Sequence, residues 1–415
     1  MIAKRPSGVS LIAILCSVSF GFLLHPASAL LKPGPVLGGA ARQGASPDNR
    51  AASGGWDREG AAAYLDERME VWFAKAKKLR TGQTQTTCVS CHMTVHYALA
   101  RPALRRAMRV SAATPQETRI IEEATRRVAS YGAHQLLYDH NESKKTESRG
   151  TEAALNALIL ANADAAQNWR EPGGSTQQAL KRLWETQRPD GAWDWLDFGL
   201  EPFETVDGAY YGATLAALAV GTAPGSFNSH TAETKVGVEK LRGYLKEKYA
   251  SQSLFNRAWL LLAATRLNGL LTKAQREALI TEIQSRQRDD GGWALDSLGP
   301  WRWSKMDGPF RAPGTPDAAL LAKSDGYATG LIVYALRQAG LPTDHRAVSR
   351  GLQWLRTNQR EVQVGERAWP AWRAHSLNFD RERGGDKGEP WRRMFMSDAA
   401  TAFTALALIA AEEGV

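Results

Sequence analysis

The chain has 415 residues, of which 43% are hydrophobic and 23% charged, with a formal net charge of +9. Its lysines and arginines are scattered among carboxylates and form no stripe, which excludes a nucleic-acid-binding protein. No stretch beyond the N-terminal region holds the roughly 18 uninterrupted apolar residues that a bilayer span requires, so no stable membrane span is expected.

In chain order, Lys4 and Arg5, the apolar run 11–24 and Ala27-Ser28-Ala29 read as a secretory signal over 1–29, cleaved after Ala29. The run is too short for a transmembrane helix, and the mature chain is expected in the periplasm or outside the cell. An uncleaved anchor is the alternative. Cys16 suggests a lipoprotein, but Leu15 stands where a lipobox requires a small residue. Residues 30–55, rich in Gly, Pro, Ala and Ser, read as a flexible leader.

Residues 56–113 read as a helical haem-attachment segment. Leu65, Met69, Trp72 and Phe73 lie at helical spacing, and a second helix is expected over 97–108. Between them, Cys88-Val89-Ser90-Cys91-His92 is C-x-x-C-H, the attachment pattern of a c-type haem. Two thiols three positions apart can add to the two vinyl groups of one porphyrin, which leaves the next imidazole as an axial ligand. One covalent haem c is expected, anchored by Cys88 and Cys91 with His92 on the iron. Two alternatives remain, a redox disulfide and a zinc site completed by His92 and His96. Against the first, no strand–helix alternation surrounds the motif; against the second, no further ligand pair follows at finger spacing. Met93 is too close to the proximal histidine to reach the other haem face. The sixth ligand is open among Met108, His134 and His140. Arg101, Arg105, Arg106 and Arg109 would face solvent, haem propionates or an acidic redox partner.

Residues 114–415 alternate Ala- and Leu-rich helical segments with loops bearing Gly, Pro and Trp, without a strand pattern. The segment Gln187-Arg188-Pro189-Asp190-Gly191-Ala192-Trp193 recurs as Gln287-Arg288-Asp289-Asp290-Gly291-Gly292-Trp293. A looser third copy has Trp354, Gln359, Gly365 and Trp369. After each copy a second helix starts, at Asp207, Asp325 and Asp398, and runs on in small and apolar residues as an inner layer requires. Segments 152–161 and 257–267 fit further inner helices. Segments 175–186 and 272–284, each with one polar face, fit an outer layer.

These repeats resemble the QW motifs of the squalene cyclase and protein prenyltransferase superfamily, which implies an all-α fold, an (α/α) barrel. The resemblance also implies that Gln187, Trp193, Gln287 and Trp293 are structural. Its catalytic motifs are missing, since Ser324-Asp325-Gly326-Tyr327 has a single carboxylate and the domain has no cysteine for zinc. The haem motif followed by Tyr97-Ala98-Leu99-Ala100-Arg101-Pro102 also resembles a group of exported bacterial proteins, which supports the architecture alone.

Asp207, Asp325 and Asp398 are explained as helix caps. Gathered at one mouth of the barrel with Tyr210, Tyr211 and Tyr327, they would instead form a polar, aromatic pocket. Trp301, Trp303, the 369–372 stretch and Trp391 could line a cavity, although most are packing residues. The first function expected is that of a monohaem redox protein, whose toroid binds or oxidises an apolar ligand such as an isoprenoid, or docks a redox partner. A carbohydrate-active hydrolase or lyase is the second, requiring paired carboxylates across a cleft. A non-catalytic binding or scaffold protein is the third.

Overall fold

The computed structural model describes residues 55–225, 232–301, 318–378 and 390–414. The expected signal peptide, all but the last residue of the leader, and Trp303 lie outside them. The described residues fall within the compact unit Ser46–Val415.

Among the described residues, twelve helices of ten residues or more follow one another: α1 (Arg58–Lys75), α2 (Thr94–Ala107), α3 (Pro115–Ala129), α4 (Glu142–Ala166), α5 (Gly174–Glu185), α6 (Gly208–Thr222), α7 (Ala232–Lys248), α8 (Leu254–Ala263), α9 (Lys273–Ser285), α10 (Gly326–Gln338), α11 (Arg346–Thr357) and α12 (Phe395–Glu412). Even-numbered helices pack in sequence, α2 on α4, α4 on α6, α6 on α8, α8 on α10 and α10 on α12. Helix α12 then packs on α2, which closes a ring of six inner helices. Odd-numbered helices form the outer layer, and the chain is an all-α (α/α)6 toroid.

Local chemistry accounts for both layers. Outer helices start at strong caps: Thr114 with Glu117, and Thr272 with Gln275, each make a reciprocal capping box. Inner helices are apolar on nearly all sides because they touch neighbours on nearly all sides. Helix α12 has the length and hydropathy of a membrane span, but 83% of it is buried in the ring. Gly330 shows how close the inner helices come, since a Cβ there would lie 2.6 Å from the Thr404 backbone nitrogen of α12. Two antiparallel hairpins sit in loops leading from outer to inner helices: β1 (Lys78–Thr81) with β2 (Thr84–Thr87), and β3 (Arg360–Val364) with β4 (Arg367–Ala371). At four or five residues each, these strands are too short to show a readable alternation.

The repeats tie one outer helix to the next. Gln187 Nε2 donates to the carbonyls of Gly191 and of Gly237 on α7, and Gln287 Nε2 donates to those of Gly291 and of Ala347 on α11. Trp193 and Trp293, fully buried, donate back to the Leu183 and Ile283 carbonyls of their own outer helices, each at 2.8 Å. In the third copy the tryptophan in this role is Trp372, which donates to the Leu355 carbonyl, and not Trp369. The β3–β4 hairpin inserted after Gln359 displaces it along the chain. Gln359 bonds the backbone N–H and carbonyl of Asp57, the N-cap of α1, at 2.8 and 3.0 Å. The last repeat therefore closes on the first outer helix. Helices α1 and α2 form the first hairpin of the toroid, and the boundary expected at 113/114 lies inside the ring.

Gly191 has φ +96°, and a Cβ there would stand 2.1 Å from the Lys240 carbonyl oxygen. Gly191→Ala is expected to cost about 2 kcal/mol or more, from left-handed strain and a backbone clash together. Chemical denaturation checks this; an unchanged midpoint would refute it.

Candidate functional site

Loops running from outer to inner helices converge at one end of the ring and enclose a cavity of about 550 Å³. Its wall includes Trp72 at the end of α1, Cys88 and His92 from the α1–α2 loop, and Leu137 and Tyr138 from the α3–α4 loop. Phe198, Glu201, Phe203 and Glu204 come from the α5–α6 loop, and Asn378, Trp391, Phe395 and Met396 from the α11–α12 loop and the start of α12. The size suits a small ligand, and aromatic surface with a few convergent polar groups is the usual lining of such sites.

The geometric centre of the ring is closed. His96, Tyr211, Phe255, Trp259, Tyr327 and Phe403, all buried, pack ring against ring along it. Phe203 separates this plug from the mouth cavity, touching His96, Tyr211 and Tyr327 on its inner side. Burial pushes the His96 imidazole down to about 4, so it stays neutral at ordinary pH, with Nε2 3.4 Å from the Tyr327 hydroxyl.

Cys88 and Cys91 are both unbridged. Burial pushes the Cys88 thiol up to about 11 and also raises the Cys91 thiol, so neither is a ready thiolate. Cys91 Sγ lies 3.8 Å from Glu204 Oε1. The His92 ring stacks on Phe395 at 4.1 Å and meets Trp72 edge-on at 5.7 Å, while Ser90 Oγ lies 3.2 Å from its Nδ1. Trp72 Nε1 donates to the Cys88 carbonyl at 3.0 Å. Burial, followed by the charge of Glu204, raises the Tyr138 hydroxyl.

The motif residues Cys88 and His92 thus share a cavity, which Trp391 also lines; the candidate sixth ligands and the aspartates and tyrosines picked out by sequence do not join them. Met108 caps the far end of α2, about 20 Å along the helix from His92. His134 points at Glu152, with Nε2 3.2 Å from Oε1, and His140 is exposed beside Tyr138. Asp325 caps α10 through the N–H groups of Tyr327 and Ala328 and also accepts from Leu295 N; burial pushes its carboxyl up to about 6. Asp398 is paired with Arg68 and accepts from Tyr64. Asp207 stands half-buried at the start of α6, and Tyr211 and Tyr327 belong to the central plug. Of the tryptophans, Trp391 lines the cavity, and Trp301 packs on Phe255. Sequence reasoning missed Glu201, Glu204, Asn378, Tyr138 and Phe395. Only the spacing in Glu201-Pro202-Phe203-Glu204, two carboxylates three positions apart, hints at them.

A buried hub holds two of the cavity's loops. Arg127 is fully buried, pairs with Glu152 through Nε at 2.7 Å, and donates to Thr86 of β2 and to the Gln135 carbonyl. Burial alone would raise the Glu152 carboxyl, but the charge of Arg127 and hydrogen bonds from His134 and Arg127 outweigh it and hold it at about 2. A carboxyl depressed in the folded state stabilises the fold above its unfolded pKa, near 4.5, and loses that contribution as pH falls toward 2. Glu152→Gln is therefore expected to flatten the stability lost between pH 5 and 2 by about 2–3 kcal/mol. Denaturant unfolding across that range checks this, and an acid limb as steep as in the wild type would refute it.

The fold defines a ring-shaped α-helical protein with a cavity where the loops converge. Neither a family of known proteins nor a curated protein matches the chain. Among solved structures it is similar to the unsaturated glucuronyl hydrolase of Bacillus sp. GL1, described as responsible for degradation of glycosaminoglycan. That likeness has 12% identity and a TM-score of 0.50, over 88% of this chain and 97% of the other. The unsaturated glucuronyl hydrolase of Streptococcus agalactiae matches with 10% identity and a TM-score of 0.47, over 88% and 95%. Identities this low establish the toroid and nothing finer.

The expectation of an electron-transfer cytochrome on a terpene-cyclase-like toroid is corrected by these findings. The solved structure of similar fold from Bacillus sp. GL1 is a glucuronyl hydrolase, and the ring centre is filled by the chain's own aromatic side chains, which leaves no room there for an apolar ligand. Among the described residues, no three or more His, Cys, Asp and Glu side chains are grouped to hold a metal ion, which also removes the zinc alternative.

Proposed function

We propose that the chain is a carbohydrate-active hydrolase or lyase that takes a saccharide in the mouth cavity. The observation that carries this reading is the pair Glu201 and Glu204, both on the cavity wall beside the rings of Trp72, Phe203 and Trp391. Glycoside cleavage needs one carboxyl to protonate the leaving oxygen and a second to act as base or nucleophile. Glu201, the more buried, is assigned as the proton donor, and Glu204, nearer solvent, as the base or nucleophile. Aromatic faces pack against the apolar faces of sugar rings, and Lys75, Lys77 and Arg392 along the cavity suit an acidic saccharide. The proteins of similar fold are named for glucuronyl hydrolysis, and the substrate class is proposed by analogy with them. Export through the signal at 1–29 would put the protein where such polymers are met.

One observation favours a second occupant. The thiols are unbridged, Cys88 and His92 stand on the cavity wall and Cys91 lies buried behind it beside Glu204; these three residues would hold one covalent haem c. Each S–H would add across a vinyl C=C, forming one C–S and one C–H bond without an oxidant. The haem would supply an iron centre at His92. This reading assigns a cofactor and no electron-transfer role.

One sample of exported protein, made with haem-maturation machinery present, tests both readings. Intact mass reports the haem, and release of reducing ends or unsaturated products from acidic oligosaccharides reports cleavage. A mass without haem together with cleavage supports the saccharide reading. Full haem occupancy that is lost in Cys88→Ala, with no cleavage of the oligosaccharides, overturns it.

A further inference from the structure

Asn378 comes from the α11–α12 loop, 177 positions from Glu201, yet it clasps that residue's backbone from both sides. Its Oδ1 accepts from the Glu201 N–H at 2.9 Å, and its Nδ2 donates to the Glu201 carbonyl at 2.6 Å. Both residues are only 6% exposed. The Glu201 side chain is held as well, with the Thr205 hydroxyl donating to Oε1 at 3.0 Å. An asparagine amide used in this way replaces the strand ladder that an irregular loop lacks, and it satisfies both backbone groups of a buried residue.

We infer that Asn378 is a positioning residue for Glu201, locking the α5–α6 loop against the α11–α12 loop so that the carboxyl of Glu201 is presented at a fixed place on the cavity wall. The inference rests on the saccharide reading, in which Glu201 is the proton donor. Proton transfer in a glycosidic transition state tolerates little displacement, so a loosened backbone lowers turnover more than binding. Asn378 also lines the cavity, but the role assigned to it runs through the Glu201 backbone, which makes it a positioning residue and not a catalytic one.

The experiment compares wild type, Asn378→Ala and the conservative Asn378→Asp on an acidic oligosaccharide, with backbone amide exchange measured at Glu201. Asn378→Ala is expected to lower kcat by about 10- to 100-fold with little change in KM, and to speed exchange at Glu201. Asn378→Asp keeps the acceptor and loses the donor, and should fall between. Faster exchange with unchanged kcat would overturn the inference, leaving Asn378 a purely structural clasp. So would unchanged exchange. The reading beneath it is tested separately, by whether the wild type cleaves at all and whether Glu201→Gln abolishes cleavage.

Discussion

Glu201→Gln is expected to lower kcat for saccharide cleavage by about 10²–10⁴-fold with KM little changed, the range that a general acid contributes. The substitution keeps shape and hydrogen bonding: the amide can still accept from Thr205, and the Asn378 clasp involves only the backbone of residue 201. Loss of turnover would therefore report the missing proton and not a displaced loop. Glu204→Gln should lose turnover comparably but with a different pH signature. A proton donor must be protonated and a base ionised, so residual activity in Glu201→Gln should lack the alkaline limb, and that in Glu204→Gln the acid limb. Full turnover in either variant would remove the pair from the mechanism.

The outer helices and their ties were legible because their signals are local. A glutamine at a helix end, a turn glycine with positive φ and a tryptophan bonding back to its own helix all lie within about ten residues in the first two copies. The third copy was misassigned at its tryptophan because the β3–β4 hairpin stretches the interval from Gln359 to Trp372. That α1 and α2 belong to the ring was not legible: their loop carries the cysteine motif where a repeat would stand, and the closing bond from Gln359 reaches Asp57 across 302 positions. The candidate site divides in the same way. Cys88 and His92 announce themselves by spacing, whereas Glu201, Tyr138 and Asn378 are ordinary loop residues until four loops meet over one cavity. The aspartates at Asp325 and Asp398 looked like a pocket because a helix cap and a buried ion-pair partner present the same letter in the sequence as a site carboxylate.

The largest stability effect is expected from Arg68→Met. Arg68 and Asp398 are 3% and 1% exposed and meet through two bonds of 2.8 and 2.9 Å, which join the first outer helix to the last inner one. Removing the guanidinium leaves a buried carboxylate with the Tyr64 hydroxyl, at 2.8 Å, as its remaining polar contact from α1. Stranding one member of a buried pair costs about 3–5 kcal/mol, far more than an exposed pair is worth. Arg68 also donates to the Trp391 carbonyl at 2.8 Å, so the same change should loosen one wall of the mouth cavity and alter tryptophan fluorescence before global unfolding. The double variant Arg68→Met, Asp398→Leu discriminates between charge and shape. If the cost comes from the uncompensated charge, removing the carboxylate as well should restore most of the lost stability. If it comes from packing at the α1–α12 seam, the double variant should be at least as unstable as the single one. Denaturation midpoints of wild type, Arg68→Met, Asp398→Leu and the double variant complete the cycle, and an Arg68→Met variant within about 1 kcal/mol of wild type would contradict the assignment of this pair as the seam's anchor.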